Sequence, residues 1–170
     1  MKRAALLLAA ATALSGCGLH PLYGGGSSGT VQSTLAAIEV APIEGQSGWL
    51  VANALRDRLG AGGESTPRFQ LKVRLDDSIA GLGVRRDDSV ARERRTLRAR
   101  YQLIDLNNGT VVLDATAGSD AGIDVVGSEY ATIAAERSTL ERLSGIVADQ
   151  IIARVGRYAR SPAAAPALRQ

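Results

Sequence analysis

Pro67-Arg68-Phe69-Gln70-Leu71-Lys72-Val73-Arg74-Leu75 alternates without interruption. Phe69, Leu71, Val73 and Leu75 share one side, and Arg68, Gln70, Lys72 and Arg74 share the other. A period of two with one apolar face is the pattern of a strand half-buried against a core. A second run repeats it, with Leu97, Ala99, Tyr101 and Leu103 inward and Arg98, Arg100 and Gln102 outward. Between them, Gly81 to Arg95 holds Gly81-Leu82-Gly83, Asp87-Asp88 and several arginines. This stretch reads as extended strand ends around an exposed hairpin tip.

Further along, Asn107-Asn108-Gly109 is the sharpest turn signal in the chain and predicts a tight hairpin joining Leu106 to Val111. Val111, Leu113, Ala115 and Ala117 then offer another inward face, fading by about Val126. From Glu129 to Tyr158 the period becomes helical. Leu140, Leu143, Val147, Ile151 and Val155 form an apolar stripe that would pack on the sheet, with Glu136, Arg137, Glu141, Arg142 and Arg154 solvated.

Upstream of the opening stretch, Ala36, Ile38 and Val40 alternate with Ala37 and Glu39, which predicts a short strand ending at Pro42. Ser47 offers an N-cap for a helix over Trp49 to Leu59. Its buried face would be Val51, Ala52, Leu55 and Leu59, and Gly60, Gly62 and Gly63 would stop it. The order β-α-β-β-β-α describes an α+β domain, a four-stranded mostly antiparallel sheet with two helices packed on one face. No internal repeat is visible.

The N-terminus has a different character. Lys2 and Arg3 precede an apolar run, Ala4 to Leu14, and then Ser15, Gly16 and the single cysteine, Cys17. The run is too short to span a membrane and has the layout of a secretory signal. A cysteine directly after small residues resembles a bacterial lipobox, in which the thiol is diacylated and the chain is cut before it. The plainer alternative is an ordinary signal peptide with an incidental thiol. Two or three acyl chains, at ~0.8 kcal/mol per buried CH₂, anchor a protein stably to a membrane where one does not. Gly18 in place of an aspartate favours sorting to the outer membrane in this class. The chain therefore divides into a signal peptide (1–16), a lipidated glycine- and serine-rich tether (17–34), one α+β domain (35–160) and a Pro- and Ala-rich frayed tail (161–170).

Composition narrows the classes of function. Of 170 residues, about 150 would remain after cleavage, the size of one domain with its own core. The formal charge of +3 includes Lys2 and Arg3, so the remainder is nearly neutral, and the high pI does not argue for nucleic acid. With one Phe and one Trp there is little to stack bases on. His20, the only histidine, lies in the tether, away from convergent partners. No HExxH, Cys-His pairing or phosphate loop is present, and Gly24-Gly25-Gly26 reads as linker. Asp76-Asp77 and Asp87-Asp88 would point to opposite faces of a strand, so neither pair forms an acid–base couple unless it sits in a turn. The sequence predicts no enzyme, no cofactor and no metal site.

One cluster stands out. Arg85, Arg86, Arg92, Arg94, Arg95, Arg98 and Arg100 crowd one stretch, opposed by Asp87, Asp88 and Glu93. Arg92, Arg94, Arg98 and Arg100 share a strand face, which Arg68, Lys72 and Arg74 would join if the two strands pair. Guanidinium forks bind phosphate and carboxylate bidentately, so such a face suits a polyanion. It is equally the polar face of an ordinary sheet, with arginine stems covering apolar surface.

Cys17-Gly18-Leu19-His20-Pro21-Leu22-Tyr23-Gly24, Arg95-Thr96-Leu97-Arg98-Ala99-Arg100-Tyr101-Gln102-Leu103 and Tyr130-Ala131-Thr132-Ile133-Ala134-Ala135-Glu136 together resemble the lipopolysaccharide-assembly lipoproteins of the LptE family, particularly its alphaproteobacterial branch. The resemblance covers residues 17–158. It implies an outer-membrane lipoprotein on the periplasmic side, seated in the lumen of an LptD-like outer-membrane β-barrel. There it would help the barrel assemble and help place lipopolysaccharide in the outer leaflet. It further implies that Arg85, Arg86, Arg92, Arg94 and Arg95, near the hairpin tip, contact the glycolipid. This arginine-rich loop is spaced differently from that of enterobacterial members. An accessory lipoprotein of a periplasmic phospholipid transport system has a similar lipobox and size and is the alternative.

Overall fold

Strict alternation carries two long strands, β2 (Phe69–Val84) and β3 (Val90–Asp105), through a computed structural model that describes residues 30–60, 66–84, 90–125 and 127–161. At ~3.3 Å per residue each extends to ~50 Å, well beyond a usual strand. They pair antiparallel from Phe69↔Asp105 to Val84↔Val90. One face carries Phe69, Leu71, Leu97, Ala99, Tyr101 and Leu103, all buried. The other carries Lys72, Arg74, Arg98 and Arg100, all exposed.

Two further strands complete the sheet in the order β1-β2-β3-β4, where β1 is Ile38–Val40 and β4 is Val111–Asp124. Strand β4 is antiparallel to β3, whereas β1 runs parallel to β2. A parallel neighbour needs a crossover, and the helix Gly45–Leu59 supplies it. The α+β class and the mostly antiparallel sheet are as the sequence predicts.

Among the described residues, three helices rather than two lie beside the sheet. The first, α1 (Thr30–Ala36), precedes β1, where the pattern predicts only a strand near Leu35. It begins within the stretch read as tether, and it buries Thr34 and Leu35. A seven-residue helix is held by its packing and not by propensity, so a short apolar alternation cannot announce it.

The second helix, α2 (Gly45–Leu59), buries Val51, Ala52, Leu55 and Leu59 as predicted. Its start differs. Ser47 lies inside the first turn, and Glu44 occupies the N-cap without a side-chain hydrogen bond. The chain enters through Gly45 at φ +81°, and Gly48 lies so close to the incoming backbone that a Cβ would stand 2.6 Å from the Ile43 carbonyl oxygen. Gly60, left-handed at φ +71°, ends the helix as expected, its N–H donating to the Arg56 carbonyl. Gly62 and Gly63 lie outside the described residues.

The third helix, α3 (Glu129–Ala159), has 31 residues and is ~46 Å long, matching the reach of the central hairpin. The stripe Leu140, Leu143, Val147, Ile151 and Val155 is buried throughout, and the Ser128 hydroxyl caps the N-terminus by accepting from the Ala131 N–H.

The turn between β3 and β4 is looser than Asn-Gly implies. Strand β3 ends at Asp105, and residues 106–110 form the loop. Gly109 takes φ +70° and donates its N–H to the Asp105 carbonyl at 2.8 Å. The buried Asp105 carboxylate accepts from the Asn107 N–H at 2.9 Å, a local turn that draws Asn107 off the strand path. The register then shifts, with Leu103 opposite Leu113 but Ile104 opposite Val111. The extra residue, Val112, is a bulge that turns Val111 to the polar face, half exposed instead of inward.

Candidate polyanion-binding face

The antiparallel register decides which basic residues meet. On the face away from the helices, Arg74 pairs with Arg100, Lys72 with Gln102 and Asp76 with Arg98. Strand β4 then brings a column of aspartates against β3. Arg92 Nε lies 2.9 Å from Asp124, Arg94 Nε 3.7 Å from Asp120, and Arg100 Nη2 3.1 Å from Asp114. Asp114 also accepts from Gln102 at 2.9 Å. The hydrogen bond from Arg100 holds the Asp114 carboxyl below the usual carboxylate range, with Gln102 adding to it, and Asp114 raises Arg100 in turn.

The predicted cluster therefore divides. Arg92, Arg94 and Arg100 are each tied to an aspartate of the edge strand. Lys72, Arg74 and Arg98 have no ion-pair partner among the described residues, and their side chains stand exposed at mid-sheet. Two shallow grooves run beside them. One, of about 560 Å³, is lined by Ala41, Pro42, Lys72, Arg74, Arg100 and Gln102. The other takes in Arg74, Asp76, Arg98, Arg100 and Thr116. Arg74 and Arg100 border both, so one unpaired and one aspartate-paired guanidinium form the ridge between them, with Lys72 on one side and Arg98 on the other.

Arg95 points the other way. Its fork donates Nε to Asp77 Oδ1 at 2.9 Å and Nη2 to Asp77 Oδ2 at 2.7 Å, and Nη1 donates to the Glu136 carbonyl at 3.1 Å. The side chains are only 13% and 19% exposed. The bond to Asp77 raises the guanidinium pKa despite burial. Arg95 thus fastens α3 to the hairpin and is not part of the exposed face.

Arg68 precedes β2 and is also set apart. Its guanidinium stands 5.7 Å from the Phe69 ring centroid, and its Nε and Nη2 are buried without a hydrogen-bond partner. Arg85, Arg86, Cys17 and His20 lie outside the described residues, as do Asp87 and Asp88. Asp76 and Asp77 point to opposite faces, in keeping with strand geometry; Asp77 holds Arg95, and Asp76 stands across from Arg98 without an ion pair. The β4 aspartates are the site's unforeseen members. Asp114, Asp120 and Asp124 share an alternation that marks them as one column, but only the bulged register shows which arginines they meet.

Among the described residues, no three His, Cys, Asp or Glu side chains gather as a metal site, and no helix is long and apolar enough to cross a membrane. A sheet with helices on one face and a charged surface on the other makes this a two-layer α+β protein. More particularly, the chain belongs to the LptE family of lipopolysaccharide-assembly proteins, whose model matches residues 35–155. The family is one of lipoproteins that serve lipopolysaccharide assembly. No curated protein matches the chain by sequence.

Solved structures share the fold. A crystal structure from Caulobacter crescentus, described as that of a lipoprotein, superposes with a TM-score of 0.64 at 23% identity, covering 77% of this chain and 98% of its own. A minor lipoprotein of Acinetobacter baumannii follows at TM-score 0.52 and 13% identity, covering 71% and 91%. Lipoprotein B of Nitrosomonas europaea gives 0.55 and 12%, covering 74% and 89%.

Proposed function

We propose that this protein is an outer-membrane lipoprotein, anchored through lipid on Cys17, that sits in the lumen of an LptD-like β-barrel. There it helps the barrel assemble and helps insert lipopolysaccharide into the outer leaflet. The family match supports the assembly role. The single observation that supports direct glycolipid contact is the unpaired trio Lys72, Arg74 and Arg98, exposed on the helix-free face. Lipopolysaccharide carries phosphates and acidic sugars, which guanidinium forks bind bidentately. Arg92, Arg94 and Arg100 flank the trio and can exchange an aspartate for a phosphate, while Arg95 is excluded by its bond to Asp77.

The test is a pull-down. With a tag on the C-terminal tail and native membranes solubilised in mild detergent, a stoichiometric large β-barrel should accompany the protein. Permease components in its place would favour the phospholipid-transport alternative, and the absence of any partner would count against the plug.

A further inference from the structure

Between α3 and β4 lies a cleft of about 460 Å³ whose lining includes no carboxylate. It exists because Ala115 on the strand and Ala153 on the helix are small, so neither closes over the ring of Tyr101. Tyr101 is 2% exposed, yet its hydroxyl makes no hydrogen bond among the described residues. Arg154 and Arg157, one helical turn apart, stand at the rim without an ion-pair partner among the described residues. Burial pushes Tyr101 up, and Arg154 and Arg157 pull it back. The negative end of the helix dipole accounts for arginines in the last turns. It does not account for their standing with Tyr101 around one cleft.

We propose that this cleft binds a phosphomonoester, with the Tyr101 hydroxyl donating to one phosphate oxygen and the Arg154 and Arg157 guanidinium groups holding the others. Two cations match the dianion, and several donors around one point match a tetrahedral group better than a flat carboxylate. The volume falls in the range of ligand pockets and admits a sugar-sized group behind the phosphate. The site is separate from Lys72, Arg74 and Arg98 and does not rest on the glycolipid contact proposed there.

Titration calorimetry on the detergent-solubilised full chain tests it, using glucose 6-phosphate as the free ester and phosphatidic acid in mixed micelles as the lipid-borne one. Saturable binding of either is expected, weakened about tenfold by Tyr101→Phe and lost in Arg154→Gln/Arg157→Gln. Arg56→Gln, exposed on α2 and away from both faces, should leave it unchanged. Which probe binds more tightly tells the free source from the lipid source. The proposal is overturned if neither probe gives saturable binding, or if binding is the same in all variants. It is equally overturned if a glutamate-rich peptide binds more tightly through the same residues, which would assign the cleft to an acidic protein segment.

Discussion

The side-chain amide of Gln150 holds both backbone groups of Gly118. Oε1 accepts from the Gly118 N–H at 3.0 Å, and Nε2 donates to the Gly118 carbonyl at 3.2 Å. A neighbouring strand would make the same two bonds. Strand β4 is the long free edge of the sheet, and here α3 reaches across and occupies it near its midpoint. Unpaired edges invite pairing with other chains, and a covered edge resists it.

Gln150→Ala should therefore do two things. The loss of two exposed hydrogen bonds should lower unfolding free energy by ~1–2 kcal/mol, and the bared edge should raise self-association. Denaturant unfolding and sedimentation across a concentration series measure both. An unchanged association state would show that the amide does not guard the edge.

Arg95 and Asp77 test a different joint. Their fork is largely desolvated, so removing one partner strands the other. Asp77→Asn or Arg95→Gln should cost ~2–3 kcal/mol by chemical denaturation, at the lower side of the range for buried pairs because both groups keep some water. Glycolipid binding by the folded Arg95→Gln protein should be unaltered.

Gly48 should not accept a side chain. With a Cβ facing the Ile43 carbonyl at 2.6 Å, backbone and not a flexible side chain must move. Gly48→Ala should lower stability by ~1–3 kcal/mol in thermal unfolding. A neutral result would mean that the entry to α2 yields easily.

The Arg100–Asp114 pair has a defined response to acid. The carboxyl is held below its ordinary value of 3.8, first by Arg100 and then by Gln102. A depressed folded value means that the pair's contribution is present above the unfolded value and is lost as pH falls through the folded one. Carbon-detected titration should place the Asp114 midpoint below 3.8, and Arg100→Gln should move it upward. Mild acidification should thus leave Arg100 paired.

Much of this is legible in the sequence. Alternation in Phe69–Leu75 and Leu97–Leu103 marked the central hairpin and its two faces, and the 3.6-period stripe marked α3. The alternation that put Arg92, Arg94, Arg98 and Arg100 on one face left Arg95 off it, but its bidentate hold on Asp77 depends on the pairing of two distant strands. The bulge at Val112 was not legible, because register depends on how the Asp105 turn closes; it turns Val111 outward while Leu113, Ala115 and Ala117 keep the inward face. Nor was the neutralisation of Arg92, Arg94 and Arg100, which depends on that register. Helix α1 was hidden because a short segment takes its conformation from what it packs on.

The most direct test of the account is lipopolysaccharide binding by the exposed trio. Lys72→Glu/Arg74→Glu/Arg98→Glu should be compared with the wild-type protein and with Arg95→Gln, at low and high salt, with folding checked by circular dichroism. The account predicts that the triple variant loses about tenfold or more in affinity and most of the salt dependence, since exposed charges are screened by added ions. Arg95→Gln should bind as the wild type does. Undiminished binding by the folded triple variant would contradict the central claim.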